Sequence, residues 1–550
     1  QQDAREQMAS ANMKRQKELD RICQALENIK EKKPGTFHEA MQLFWLFALL
    51  AGVINYGRLD DYLGPYLVAD LKSGRLTDEE AYRYIHSLWT MIENRRTTVN
   101  GRIIVGGKGR KHPKEADVFL HIAMKVAKNC RYVEPQFTLR FDKDTSEEIW
   151  DEALDALGAG ATYPTLYNDD VNVPAVMYGM RVDEKAAEQY VPFGCTEFVI
   201  QGQSTGTPNI CINLLKLLTI YMNDGIDPID GKRKSGPVPL KKLEEYQTFE
   251  EFYDGYKALL DYYLDLSVKA QYHSYEVMNQ HVSFLFTSLL TDDCIARGKA
   301  LLDGGVRYLG GTNETYGNIN TSDSLWVIRD LVFNQKKYTL RQLNDAMLAN
   351  FNGYEALRKD CLNCDKYGND LETADTMAND LYEFVAKGVR NRGIAIGMQY
   401  FLIVISNNQL NTEWGNRTAA SPDGRLSCMY MNPANNPQGG ANKSGPTAML
   451  NSLAKFDAKY HGGSVQNIKF SPSMFNENRA VIKSLFKTYF AKGGCHLMVT
   501  VVDKGVLEDA VEHPENYPDL IVRVSGFSAV FVDLSPNIQQ ELLSRVLYDK

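Results

Sequence analysis

Glycine is the one residue whose Cα carries no side chain. A radical on that carbon can lie flat between the amide nitrogen and the carbonyl and delocalise onto both. In VRVSGFSAVFVDLS, residues 522–535, two apolar strands flank Ser525-Gly526-Phe527, and burial at such a loop tip would shield a radical on Gly526 from solvent and reductants. On local grammar alone Gly526 is a plain hairpin or bulge glycine. A second stretch, PFGCTEFVI (192–200), sets Cys195 after a glycine and two positions before Glu197. A lone cysteine in an apolar strand is usually inert core. At a loop tip, however, thiol and carboxylate can face one pocket. A thiyl radical abstracts hydrogen and a carboxylate moves protons, a coherent pairing for radical elimination.

The elements that must hold these tips read as strands alternating with helices, which points to an α/β fold with one large core. Residues 1–33 read as a charged amphipathic helix, and 76–93 and 146–160 as helices, the first with a threonine cap and an acidic first turn. GRIIVGG (101–107), QFTLRFD (136–142), NIKFSP, CHLMVTVV and IVRVSGFSAVFVDL read as strands. The polar stretch 222–250 is a surface excursion, 304–323 a glycine-rich strand and loop, 338–393 helical, and 411–447 a long ordered loop.

The chain has 550 residues, 44% hydrophobic and 24% charged, enough to bury a large core without disulfides or a structural metal. The net charge of −8, with signs mixed along the chain, argues against nucleic acid as a main partner. Nine scattered cysteines fit a reducing cytoplasm better than a secreted disulfide framework. The most apolar run, residues 43–54, is about a dozen residues long where roughly 20 would span a bilayer, so a buried helix is expected and no membrane contact. The opening at Gln1 reads as a helix already under way, so the true chain is expected to start earlier. CLNC (361–364) has metal-like spacing, but no second pair completes four ligands, and no metal is expected. Arg425 in SPDGR reads as a structural ion-pair residue.

VRVSGFSAVFVDL resembles the glycyl-radical signature of the pyruvate formate-lyase and glycerol (diol) dehydratase family, and GCTE resembles the Gly-Cys-x-Glu loop of its dehydratase and lyase branch. The 331 positions from Cys195 to Gly526 are similar to the family's separation. PGTFHEAMQLFW, YGRLDDYLGPYL, ASPDGR, NKSGPTAML and HPENYPDLIVRVSG resemble it too, so the likeness runs along nearly the whole chain. It implies a ten-stranded α/β barrel of two parallel half-sheets wrapped by helices, with residues 1–500 as an N-terminally incomplete barrel domain and 501–550 as the glycyl radical region. It also implies an oxygen-sensitive homodimer with no permanently bound cofactor. Its radical on Gly526 would be installed by a separate S-adenosylmethionine/iron–sulfur activating enzyme and passed to Cys195.

The resemblance directs attention to Asn55, Thr207, Asn209, Asn313, Glu314 and Tyr316 as residues around a small polar substrate. The expected reaction is a radical elimination, a dehydratase or C–X lyase step, with Glu197 as the base. A decarboxylase of arylacetates, with Glu314 as a second acid, stays open, as does a truncated, non-catalytic member. Acyl transfer is disfavoured, because Cys195 lacks the adjacent cysteine of the formate-lyases.

Overall fold

The structure, a computed structural model, describes residues 1–549 except 54, 97–100, 207–208 and 407–408. Its strands are β1 (Gly57–Arg58), β2 (Arg102–Gly106), β3 (Gln136–Phe141), β4 (Thr165–Asn168), β5 (Tyr190–Phe193), β6 (Glu197–Ile200) and β7 (Ile210–Asn213). They continue with β8 (Gly310–Tyr316), β9 (Tyr400–Ile405), β10 (His461–Ser464), β11 (Asn467–Phe470), β12 (His496–Val501), β13 (Ile521–Arg523) and β14 (Ser528–Val530). One sheet has the order β1-β2-β3-β4-β12-β11 and a second the order β10-β9-β8-β7, together the ten strands of an α/β barrel.

Strands β1 to β4 run parallel, as do β7 to β10 and β11 with β12. β4 meets β12 antiparallel. The segment 461–470 stitches the two sheets, since β10 pairs with β9 and β11 with β12. Between them Val465 N donates to Ile405 O and Gln466 O accepts from Met498 N. Two parallel half-sheets therefore close on one another in opposite senses.

Parallel neighbours need crossovers, and helices supply them: Pro113–Asn129 joins β2 to β3, and Glu147–Gly158 joins β3 to β4. RIIVG, YFLIVI and HLMVTV are near-continuous apolar runs, as strands covered on both faces require. One core lies around Trp89, Phe119, Phe137 and Trp150, a second around Phe252, Tyr256, Leu325 and Phe401.

The barrel interior is different. Arg58 of β1, Arg102 of β2 and Arg140 of β3, all buried, grip the β5–β6 hairpin by its backbone. Arg58 Nη1 and Arg140 Nη1 donate to Glu188 O, and Arg140 Nη1 also donates to Tyr190 O at 2.7 Å. Arg140 is held in turn by Asp169 through Nε–Oδ1 (2.9 Å) and Nη2–Oδ2 (2.8 Å), with neither side chain exposed. Removing one partner of such a pair strands a buried charge, so Asp169→Ala is expected to lose about 3–5 kcal/mol. A fall in the urea midpoint, followed by near-ultraviolet circular dichroism, would register it.

Several segments depart from the sequence reading. Residues 1–33 form two helices, Gln2–Met8 and Met13–Asn28, because Asn12 caps the second by accepting from Arg15 N. The apolar run is the helix Phe37–Leu50, but it is not buried all round: only one face packs inward, and Leu43, Phe47, Leu49 and Leu50 are exposed. Stretch 338–393 is three helices, interrupted where Gly353 takes a left-handed φ and again at 364–371. The polar stretch 307–320 is strand and helix rather than strand and loop: it contributes β8 and the start of the helix Asn318–Val327, where Asn313 Nδ2 and Tyr316 OH find buried partners and Asn313 Oδ1 and Asn318 Oδ1 find none among the described residues. Among the described residues the Arg425 guanidinium pairs with no carboxylate; it donates to the carbonyls of Thr418, Ala419, Leu426 and Met429. Among the described residues no helix is long and apolar enough to cross a membrane.

Candidate active site

Two hairpin tips meet inside the barrel. The first joins β5 to β6 through 194–196, with Phe193 opposite Glu197. Gly194 has φ +53°, and a Cβ there would lie 2.6 Å from Glu197 Oε2, so glycine lets the carboxylate fold back over the tip. From the first half-sheet, Arg102 Nη2 donates to Gly194 O (2.7 Å) and Cys195 O (3.3 Å). From the second, Gly463 of β10 presses its backbone against the Thr196 carbonyl. The hairpin is thus clamped between the two halves.

The second tip joins β13 to β14. Val524 N donates to Phe527 O across Ser525-Gly526, and of these two only Gly526 has a left-handed φ (+81°), a conformation open to glycine at no steric cost. Turn chemistry alone would explain the glycine. Its surroundings add more: a Cβ on Gly526 would sit 2.6 Å from Cys195 Cβ and 2.7 Å from Cys195 Sγ. The Gly526 Cα therefore abuts the thiol, with no room for a side chain. Gly526 N points at Met498 Sδ (3.4 Å), and Arg523, beside it in the hairpin, packs its guanidinium 5.1 Å from the Tyr163 ring centroid.

A polar network surrounds the thiol. Thr196 N donates to Glu197 Oε2 (2.8 Å), and Asn209 Nδ2 bridges Glu197 Oε1 (3.0 Å) and Glu314 Oε1 (2.8 Å). Asn209 Oδ1 accepts from Thr312 Oγ1, and Glu314 Oε2 accepts from Tyr316 OH and Ser406 Oγ. Burial first, then the Glu314 carboxylate, raise the pKa of Glu197. Burial, then Glu197 and Glu314, push the Cys195 thiol well above its ordinary value. A cysteine built for nucleophilic attack needs the opposite shift. This site keeps S–H intact, as a hydrogen-atom carrier requires, and sets it beside a proton acceptor.

The structure brings Gly526, Cys195, Glu197, Asn209, Glu314 and Tyr316 together. Asn313, one position along β8, points the other way and donates to Ser267 Oγ on the helix Phe249–His281. Alternation along the strand separates it from Thr312, Glu314 and Tyr316. Asn55 stands at the head of β1, its side-chain atoms buried with no hydrogen-bond partner among the described residues. Thr207 lies outside the described residues. Arg102, Thr312, Ser406 and Met498 went unread. Of these only Arg102 left a signal, a lone cation opening an apolar strand. Cys211 of β7, register partner of Glu314, sets a second thiol beside that carboxylate.

The Pyruvate formate lyase-like family matches residues 1–410, and the Glycine radical family matches 431–532. The chain is similar to trans-4-hydroxy-L-proline dehydratase of Clostridioides difficile, 28% identical over 96% of this chain and 70% of the relative. It is similar to (2S)-3-sulfopropanediol dehydratase of Klebsiella oxytoca, 28% identical over 97% and 68%. The glycerol-bound B12-independent glycerol dehydratase from Clostridium butyricum superposes with a TM-score of 0.92, at 28% identity over all of this chain and 72% of its own.

Proposed function

Because the chain belongs to the glycyl radical enzymes of the pyruvate formate-lyase family, we propose that it is a radical lyase that eliminates water or another leaving group from a small polar substrate. The contact between Gly526 Cα and the Cys195 thiol carries this reading. A separate activating enzyme, using S-adenosylmethionine and an iron–sulfur cluster, would remove one hydrogen atom from Gly526. The Gly526 radical takes hydrogen from Cys195 Sγ–H, and the thiyl so formed takes hydrogen from a hydroxyl-bearing substrate carbon. That carbon radical makes its hydroxyl more acidic, and Glu197 accepts the proton. The leaving group departs from the neighbouring carbon with its bonding pair, and Cys195 returns its hydrogen atom to the product radical. Burial of both tips excludes stray hydrogen donors.

Activation requires Gly526 to leave the barrel, and packing supports that. Val522, Val524, Phe527, Phe531, Ile538 and Leu542 form a small apolar cluster with Val502 and Leu507, separate from the barrel cores, so the C-terminal region has a core to move with.

Anaerobic electron paramagnetic resonance tests the reading, after incubation with a matched activating enzyme, S-adenosylmethionine and reductant. The expected result is a doublet split by the remaining α-hydrogen, absent in Gly526→Ala. No doublet, with an activating enzyme competent on another target, would sink it. A second reading, an arylacetate decarboxylase, is favoured by one observation: Glu314 supplies a second carboxylate, tied to Glu197 through Asn209. Products separate the two, carbon dioxide and a methylarene against an aldehyde or alkene with its leaving group.

A further inference from the structure

We propose that Arg102 is the positioning residue that fixes the Cys195 thiol against the Gly526 turn, a role that rests on the radical reading only for its purpose and not for its test. Arg102 sits on β2, fully buried, one strand in from the edge of its half-sheet. Nη1 of its guanidinium donates to Thr138 Oγ1 (2.8 Å) on β3. Nη2 is shared between sheet and hairpin tip: Gln136 Oε1 of β3 (3.0 Å) and the two carbonyls on either side of the Cys195 amide–Cα unit, Gly194 O and Cys195 O, all lie within reach of its two N–H groups.

That placement matters because the tip has few other anchors of its own. Below it, Arg58 and Arg140 hold the hairpin at Glu188 and Tyr190, at and before the start of β5. Thr196 N is taken by Glu197, a residue of the same hairpin. Gly463 limits the tip by contact alone. Among the described residues, Arg102 is the side chain that ties the backbone of residues 194 and 195 to the barrel wall. A planar fork fixed at one end to two β3 side chains transmits the position of the sheet to the thiol. The glycine turn reaches Cys195 from the opposite direction, on a hairpin with its own apolar cluster. When that hairpin returns after activation, the thiol must be waiting within contact distance, and a fixed guanidinium keeps it there while the partner is away.

The test reads the contact in the resting protein, with no substrate or radical. In a Gly526→Cys background the new Cβ would start 2.6 Å from Cys195 Cβ, so the glycine hairpin must withdraw by about 1 Å to the ~3.8 Å usual between bridged Cβ atoms, and oxidised glutathione can then join the two thiols. Glutathione disulfide is reduced to two thiols, which take up the two protons the cysteines lose as the Sγ–Sγ bond forms. Closure is followed by intact and peptide mass spectrometry, well below the melting temperature of each variant. Arg102→Lys keeps the charge but loses the fork, and is expected to slow closure about ten- to a hundredfold, since displacements near 1 Å carry penalties of that size. Gln136→Leu leaves Arg102 in place and removes one anchor, and is expected to slow it less. A role confined to strand stability would lower the melting temperature and leave the rate unchanged. Native closure rates in both variants overturn the proposal, as does a native rate in Gln136→Leu alone if Arg102→Lys does not fold. Because closure is read without a radical, slowed closure in a chain that gives no doublet would uphold the positioning role and fail only the radical reading.

Discussion

Cys195→Ser is expected to leave the Gly526 doublet in place and to lower turnover per radical by at least ~10⁴-fold, since each 1.36 kcal/mol added to the barrier costs tenfold. The substitution changes one atom of a side chain that is 7% exposed, so packing of the two tips is nearly preserved. What changes is the bond. An alcohol O–H is much stronger than a thiol S–H, so a glycine-centred radical cannot draw hydrogen from serine at a useful rate. The radical then stays on Gly526, because its installation on the proposed route does not pass through the thiol. Thiol ionisation gives an independent reason to expect this outcome. Burial and two neighbouring carboxylates hold Cys195 as S–H, so no thiolate pathway exists for serine to imitate. Spin counting on the doublet, with product measured in the same sample, is the check. Residual turnover above about 1% per spin, only about two of those tenfold steps where at least about four are expected, would mean that Cys195 is not the hydrogen carrier.

The parts of this site that could be read from sequence are those whose chemistry is carried by residue type within a short stretch. Gly526 has no side chain and sits between two apolar strands; Cys195 and Glu197 share one tip. Asn209, Glu314 and Tyr316 were reachable only through the family resemblance, which points to their stretches as pocket lining. Asn313 came in with them because the resemblance points to the whole polar stretch 307–320 and does not tell one strand face from the other. Once it is β8, period-two alternation puts Asn313 on the Ser267 side and Thr312 with Asn209. Arg102 and Ser406 were not reachable in that way. Arg102 meets its carbonyls 92 positions along the chain, and Ser406 lies 92 positions from Glu314, so each role exists only after the barrel closes. The helix Phe37–Leu50 makes the same point about burial. Its last two turns, residues 43–50, are apolar on every face, but which face is covered depends on what the rest of the fold brings to it.

Glu197→Gln is expected to keep the fold and the doublet and to lower turnover about 10²- to 10⁴-fold, the usual contribution of a positioned proton acceptor. Glutamine has nearly the same volume and can still accept from Asn209, but it cannot take a proton from the substrate hydroxyl. The pH profile gives the assignment a sharper test. A base works in its deprotonated form, so kcat/KM should rise with pH as Glu197 loses its proton. Burial, and behind it the charge of Glu314, raise that pKa, so the acid limb should stand above the ordinary carboxylate range near 4. Glu314→Gln removes the like charge while leaving the burial, and is expected to move the limb toward lower pH without abolishing it. In Glu197→Gln the limb should vanish from the residual activity. A limb that persists there, or one that ignores the charge at position 314, would assign the proton transfer to a different group and leave Glu197 a hydrogen-bonding residue of the thiol loop.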